Sequence, residues 1–261
     1  MAAAAPPKTE FNAVTNEGYQ IKVLGDIFNT NLTEGNLRCD QDGITLREAD
    51  AKETVMIDVV LRAADMVYEP PEEPIYIGFT CQHLYKMLRR IKKKDKLSIY
   101  REVGSDLLSF NILNAEKDRN KDATIRIKEV PRTAWEMPEY PKIPITAIPA
   151  SEFQRMCKEM TAASKSITVK IQRAGVMFLG GTPLLFSISD KYGTWDPDPN
   201  AEVIYCKTFN SKQLAHLSKC SGLAQNNYLK LFCAGEDQPI MFVSPIGSIG
   251  CLRACVSPNE S

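Results

Sequence analysis

Alternating and helical runs of apolar residues follow one another along this chain in an order that is then repeated. In the first half, "FNAVTNE" reads as a strand. Tyr19–Phe28 follows as a short helix with Ile21, Leu24 and Phe28 at i, i+3 and i+7, weakened by Gly25. Asp42-Gly43 between "NLRC" and "ITLRE" predicts a tight hairpin. "TVMIDVVLRA" and "PIYIGF" read as strands, joined by the Pro-rich loop "YEPPEEP". Thr80 to about Lys92 predicts a helix with Leu84, Met87, Leu88 and Ile91 on one stripe and Lys86, Arg89, Arg90 and Lys93 opposite. "KLSIYREV", "LLSFNIL" and "ATIRIKEV" close the half.

The second half restarts with "IPITAI" and a helix for which Ser151 is the expected cap, with Phe153, Met156, Cys157 and Met160 inward and Arg155 and Lys158 outward. "ITVKIQRAGVMFLGG" then turns at Gly175, the place Gly43 holds in the first half. A later helix sets Leu214 and Leu217 against Lys212, His216 and Lys219, and strands "NYLKLFCAG", "PIMFVSPIG" and "IGCLRACV" finish the chain. Identity between the halves is low, so the repeat lies in order and periodicity, as a duplicated fold leaves it. The expected architecture is α+β, with two similar domains of antiparallel sheet and two helices each. Residues 1–10 read as a frayed tail, 11–129 as one domain, 130–141 as a Pro-rich connector and 142–258 as the second domain.

Composition narrows the function classes. Formal net charge is zero, so bulk charge selects no partner, and any polyanion reading depends on where the cations sit. Eight cysteines stand without a CxxC pair beside only two histidines, so neither metal nor cofactor is expected. No apolar run approaches the roughly 18 residues of a membrane span, and no membrane association is expected. The sequence lacks GxGxxG, P-loop and HExxH patterns, which leaves catalysis without a foothold.

Three constellations remain. The outward basic faces of the helices suit a phosphate-facing lining that positions without reading sequence. Trp135, Met137 and Pro138 are apolar groups in a connector too rich in proline for a sheet interior, and they suit a groove for an apolar peptide anchor. "SFNIL" (Ser109–Leu113) and "LLFSIS" (Leu184–Ser189) read as apolar edge strands, carrying Phe110, Ile112, Leu185 and Ser187, and such edges need partners.

The order of elements and the segments "IPASEFQRMCKEM", "ITVKIQRAGVMFLGG", "LLSFNILNAEKD", "TAWEMPEYP" and "QPIMFVSPIGSIGCLRACVSP" resemble the sliding clamps, most of all the proliferating cell nuclear antigen family. The resemblance implies a homotrimeric ring around double-stranded DNA that tethers a DNA polymerase, a clamp loader and other motif-bearing replication proteins. It implies DNA contact through Lys22, Lys86, Arg89, Arg90, Lys93, Arg155, Lys158, Lys212, His216 and Lys219. To the partner groove it adds Ala49, Asp50, Thr54, Pro239, Cys255, Ser257 and Pro258. Its subunits would join edge to edge in a nucleus, or in a viral replication compartment if the source is viral. Ala254 and Cys255 stand where relatives have aromatics, and Arg173 where eukaryotic members have a modifiable lysine. Alternatives are a monomeric processivity factor, a heteromeric checkpoint-clamp subunit or, in another class, a metabolic α+β enzyme.

Overall fold

A computed structural model describes residues 8–113, 120–180, 200, 202–223, 228–235 and 238–259, and the backbone of 184–187. The chain forms two compact units. Unit 1 comprises Met1–Arg47, Val59–Thr133 and Ile246–Gly250, and unit 2 comprises Glu48–Asp58, Ala134–Pro245 and Cys251–Ser261.

In unit 1, β1 (Thr9–Thr15) leads into α1 (Gly18–Asn31), β2 (Glu34–Asp40), β3 (Gly43–Ala49) and β4 (Val55–Arg62), of which residues 48–49 and 55–58 belong to unit 2. β5 (Val67–Glu69), β6 (Ile75–Thr80), α2 (Cys81–Leu88), β7 (Lys96–Glu102), β8 (Leu107–Leu113) and β9 (Lys121–Arg126) follow. A five-stranded antiparallel sheet runs in the order β5-β1-β7-β8-β9, and β2 pairs with both β3 and β6. Alternate residues point inward, as half-buried strands require: Phe11, Phe79, Leu97, Leu108 and Phe110 are all at most 2% exposed. α1 and α2 pack together at Gly25, where an added Cβ would lie 2.8 Å from Leu88 Cδ1. The glycine that weakens α1 as an isolated helix thus permits its close approach to α2.

In unit 2, β10 (Thr146–Pro149) is followed by α3 (Ala150–Ala163), β11 (Ser166–Gln172), β12 (Gly175–Leu179), β13 (Leu184–Ser187), β14 (Val203–Asn210) and α4 (Ser211–Leu217). A 3₁₀ turn, Ser218–Gly222, precedes β15 (Tyr228–Cys233), β16 (Ile240–Ile246) and β17 (Gly250–Val256). One sheet runs β13-β12-β11-β14, and β10, β15, β16 and β17 are neighbours in that order. Phe153 anchors the core with ring centroids 5.2 Å from Phe242 and 6.5 Å, edge-on, from Phe178. Asn210 caps α4, its side-chain oxygen accepting from Lys212 N at 3.0 Å.

The duplication reaches details that the sequence does not display. Both hairpins use a two-residue loop, with Asp40 opposite Gly43 and Gln172 opposite Gly175, so each glycine is the first residue of the returning strand. Lys128 N donates to Gly78 O at 2.8 Å, and Asn259 N donates to Thr208 O at 2.7 Å. Gly78 and Thr208 hold the same place relative to the helices that begin at Cys81 and Ser211.

Several expected boundaries shift. α1 extends to Asn31, because Thr30 Oγ1 and Asn31 Nδ2 donate to the carbonyls of Asp26 and Ile27 in its last turn. α2 stops at Leu88, because Ile91 N returns to Leu88 O and Asp95 Oδ2 accepts from Lys92 N, closing a turn. Arg89, Arg90 and Lys93 therefore lie beyond the helix. Ser151 does not cap α3, which starts at Ala150 directly from strand β10 with Pro149 at the cap position and no side-chain cap bond.

The largest correction concerns the edges. β8 lies between β7 and β9, with Phe110 opposite Ile99 on one side and Ala123 on the other. Phe110 and Ile112 are 2% and 3% exposed and belong to the core of unit 1. An apolar alternating strand reads the same whether its neighbour is supplied by its own chain or by another, so the pattern alone misplaced the edge. The outer strand on that side is β9. In unit 2, β13 is an outer strand of its sheet, and the side chains of Leu185 and Ser187 lie outside the described residues.

Candidate nucleic-acid interface and peptide groove

The basic residues fall into electrically different settings. Lys86 on α2 and Arg89, Arg90 and Lys93 in the turn after it are exposed. Lys22 on α1 donates from Nζ to Ile91 O at 3.0 Å, which ties α1 to that turn. Tyr19 of α1 approaches both lysines, with Lys22 Nζ 5.6 Å and Lys93 Nζ 5.8 Å from its ring centroid. The neighbouring Lys92 and Lys94 are exposed as well and were missed from sequence because they fall off the extrapolated helix face, whereas nothing local marks Tyr19 on α1 as their neighbour.

In unit 2, Arg155 is exposed but held by Glu152 at 2.6 Å and Glu159 at 3.3 Å along α3. These carboxylates raise its already high pKa, Glu152 first. Lys158 is exposed on the same helix and Lys212 on the first turn of α4. His216 is half-buried; burial first, then Lys219 and Lys212, push its imidazole below its ordinary pKa, so it is a neutral ring at pH 7. Arg155, Lys158, Thr161, Ala215 and Ser218 line an open cleft beside α3 and α4.

The connector residues of unit 2 form an apolar cluster. Met137 and Tyr140 pack with Met56 and Val243 against buried Phe232, Met241 and Cys255. Tyr140 Oη donates to Pro239 O at 2.9 Å and lies 3.5 Å from Cys255 Sγ, which in turn is 3.1 Å from Met137 Sδ. Burial, and then Cys255, raise the Tyr140 pKa, which keeps its hydroxyl protonated as a donor. Beside this cluster the Ala49–Thr54 loop is organised by Asp50, whose Oδ1 accepts from Thr54 N at 2.6 Å and Val55 N at 2.7 Å. Ser257 N then donates to Thr54 O at 2.8 Å, bringing the C-terminal segment to the same loop.

Of the expected groove residues, Met137, Pro239 and Cys255 are thus joined by contact, and Asp50, Thr54 and Ser257 by hydrogen bonds. Ala49, Trp135, Pro138 and Pro258 are half-buried on the same segments. Cys255 is only 3% exposed, so it underlies the cluster and does not form its surface. Met56, Tyr140, Phe232, Met241 and Val243 were missed; alternation in "YLKLFC" and "PIMFVSPIG" carries the signal for the strand residues, whereas nothing local marks Tyr140.

Two family models account for nearly the whole described chain. The model of the proliferating cell nuclear antigen N-terminal domain matches residues 11–133, and that of the C-terminal domain matches residues 137–259. The chain belongs to the proliferating cell nuclear antigen family. It is 22% identical to proliferating cell nuclear antigen of Chaetomium thermophilum over 248 residues, covering 92% of this chain and 94% of that one. The Caenorhabditis elegans protein of the same name is 21% identical over 254 residues, with 94% and 95% covered. Proliferating cell nuclear antigen 2 of Drosophila melanogaster is 21% identical over 241 residues, with 92% and 93% covered. The fold is similar to the crystal structure of the Entamoeba histolytica protein with TM-score 0.80 at 18% identity, covering 97% of this chain and all of that one. Like these relatives, the chain has the two-domain α+β clamp fold.

Proposed function

We propose that this protein is a DNA sliding clamp that encircles duplex DNA as a homotrimer and tethers a polymerase and other replication proteins without catalysing bond chemistry. The observation that carries the reading is the match of both halves, end to end, to the two domains of one clamp family. The cationic helix and turn residues support it, because phosphate contacts of this kind hold DNA without reading its sequence. The clamp loader is the other partner of this reading, and the nucleus is the site of action.

For assembly, β9 and β13 are each an outermost strand of their sheet, as β5 and β14 are at the opposite ends, and a head-to-tail pairing of the β9 and β13 edges closes into a ring when the rotation permits. Light scattering after size exclusion tests this: the expected mass is three times the 29.2 kDa of one chain. A strictly monomeric protein at micromolar concentration would overturn the ring. In a primer-extension assay, the protein with its cognate loader and polymerase is expected to lengthen products, and unchanged product length would overturn the tethering role.

The Met137–Tyr140 cluster supports a groove for a short partner motif with an aliphatic anchor followed by aromatics. Such a peptide is expected to change Trp135 fluorescence on binding, and Met137→Asp is expected to weaken binding at least tenfold, by analogy with a desolvated interface anchor. Heat-free calorimetry with several such peptides at high concentration would assign the cluster to connector packing alone.

A further inference from the structure

The two halves share a fold but not a distribution of charge. After α2, residues 89–96 hold Arg89, Arg90, Lys92, Lys93, Lys94 and Lys96 against the single acid Asp95. That acid is buried and its carboxylate accepts the Lys92 backbone N–H. After α4, the corresponding residues 218–223 hold one cation, Lys219. On α3, the Arg155 charge is already compensated by Glu152 and Glu159.

Unit 1 also gathers its cations by a device with no counterpart among the described residues of unit 2. The Tyr19 ring at the start of α1 has Lys22 and Lys93 ammonium groups at 5.6 and 5.8 Å, and Lys22 is pinned to the turn through Ile91 O. Two like charges are held close to one aromatic ring, a contact that partly offsets their repulsion. Lys92 and Lys94 flank them in the same exposed turn. The stretch is too tightly closed to bind as an extended peptide: Ile91 is 1% exposed and Asp95 4%, so both of its inner residues are anchored. What it offers is a compact, preformed cluster of donors for a polyanion whose charges are closely and regularly spaced, as phosphates on duplex DNA are.

We propose that the Lys92–Lys94 turn, with Lys22 positioned by Tyr19, is the principal phosphate-binding element of each chain, and that Arg155 of α3 contributes little; this rests on the clamp reading. Each subunit would then hold DNA mainly through unit 1, and Tyr19 would be a positioning residue for the lysines. Its ring does this through its π face, so the hydroxyl is dispensable.

The test is fluorescence anisotropy of a labelled mixed-sequence duplex with the full-length protein across a range of salt concentrations, each variant first checked for an unchanged thermal transition. For K92Q/K93Q/K94Q, affinity is expected to fall on the order of tenfold at low salt, and the log K against log salt slope to shrink by about 2 to 3, at about 0.9 per phosphate lost. Tyr19→Leu is expected to weaken binding about two- to fivefold, while Tyr19→Phe keeps it. Arg155→Gln is expected to shift the slope by well under one phosphate's share. An unaltered slope in the triple variant, or a slope change for Arg155→Gln as large as the triple variant's, overturns the assignment. Equal weakening by Tyr19→Phe and Tyr19→Leu overturns the role of the ring. Loss of affinity in the triple variant for an acidic polypeptide but not for duplex would assign the turn to a protein partner and overturn the phosphate role. Failure of the unaltered protein to bind duplex at low salt would instead count against the clamp reading itself.

Discussion

Phe110→Asp is expected to unfold unit 1, and to abolish assembly only as a consequence. Phe110 is 2% exposed on the central strand β8, flanked by Ile99 and Ala123 on the paired strands. Truncating a buried phenylalanine costs about 3 to 5 kcal/mol, and a carboxylate in its place adds the cost of a buried charge or of its protonation. Against a typical total stability of about 5 to 15 kcal/mol, that is enough to remove most of the folded population. Circular dichroism should show loss of near-ultraviolet signal and of a cooperative melt for unit 1. Thr124→Arg on the outer strand β9 is the informative contrast, since Thr124 is exposed opposite Ser109. It is expected to lower the native mass while keeping the melting transition, because exposed substitutions usually change stability by about 0.5 kcal/mol or less. A folded, monomeric Phe110→Asp protein would restore β8 as an assembly edge.

Gly78→Val is expected to release the start of the connector from β6. A Cβ at Gly78 would lie 2.2 Å from Lys128 O and 2.8 Å from Val130 Cγ2, and the first of these is backbone that cannot rotate away. The 2.8 Å bond from Lys128 N to Gly78 O would be lost with it. So would the placement of Arg132, whose guanidinium lies 3.8 Å from the Tyr76 ring centroid. Forcing extra bulk into such a contact costs about 1 to 3 kcal/mol. Trypsin should cut after Lys128 and Arg132 much faster than in the unaltered protein, with the rest of unit 1 still protected. Unchanged cleavage at both sites would show that the connector start is held by other contacts. In unit 2 the position equivalent to Gly78 is Thr208, so a side chain is tolerated there beside residue 259. The need for glycine belongs to the connector and not to the repeated fold.

Most of the elements were legible in the order of apolar residues, because a half-buried strand and a one-faced helix each impose a period on the chain. The hairpin glycines, the duplicated order and the inward residues of α3 and α4 are local consequences of that kind. What failed was what depends on a neighbour. Alternation in "LLSFNIL" records two buried faces but not which strand lies beside it, and β9, with its polar "KDATIR", hid the true edge. Helical periodicity carried α2 four residues too far, because the bond between Asp95 and Lys92 that closes the turn is a loop property.

The candidate sites divide along the same line. The basic residues and the Pro-rich connector stand out in the sequence by type alone. Their chemistry was decided in three dimensions, where Arg155 meets Glu152 and Glu159, His216 is desolvated, and Lys22 and Lys93 both approach the Tyr19 ring. Tyr140 reaches Pro239, ninety-nine residues away, and Cys255 supports the connector from below. The sequence by itself determined which segments bury a face, since that follows from periods of two and 3.6 residues. Only the tertiary structure decided which charges are compensated and which strand is an edge, since Coulomb interactions and strand pairing act between residues distant in the chain and leave no period in it.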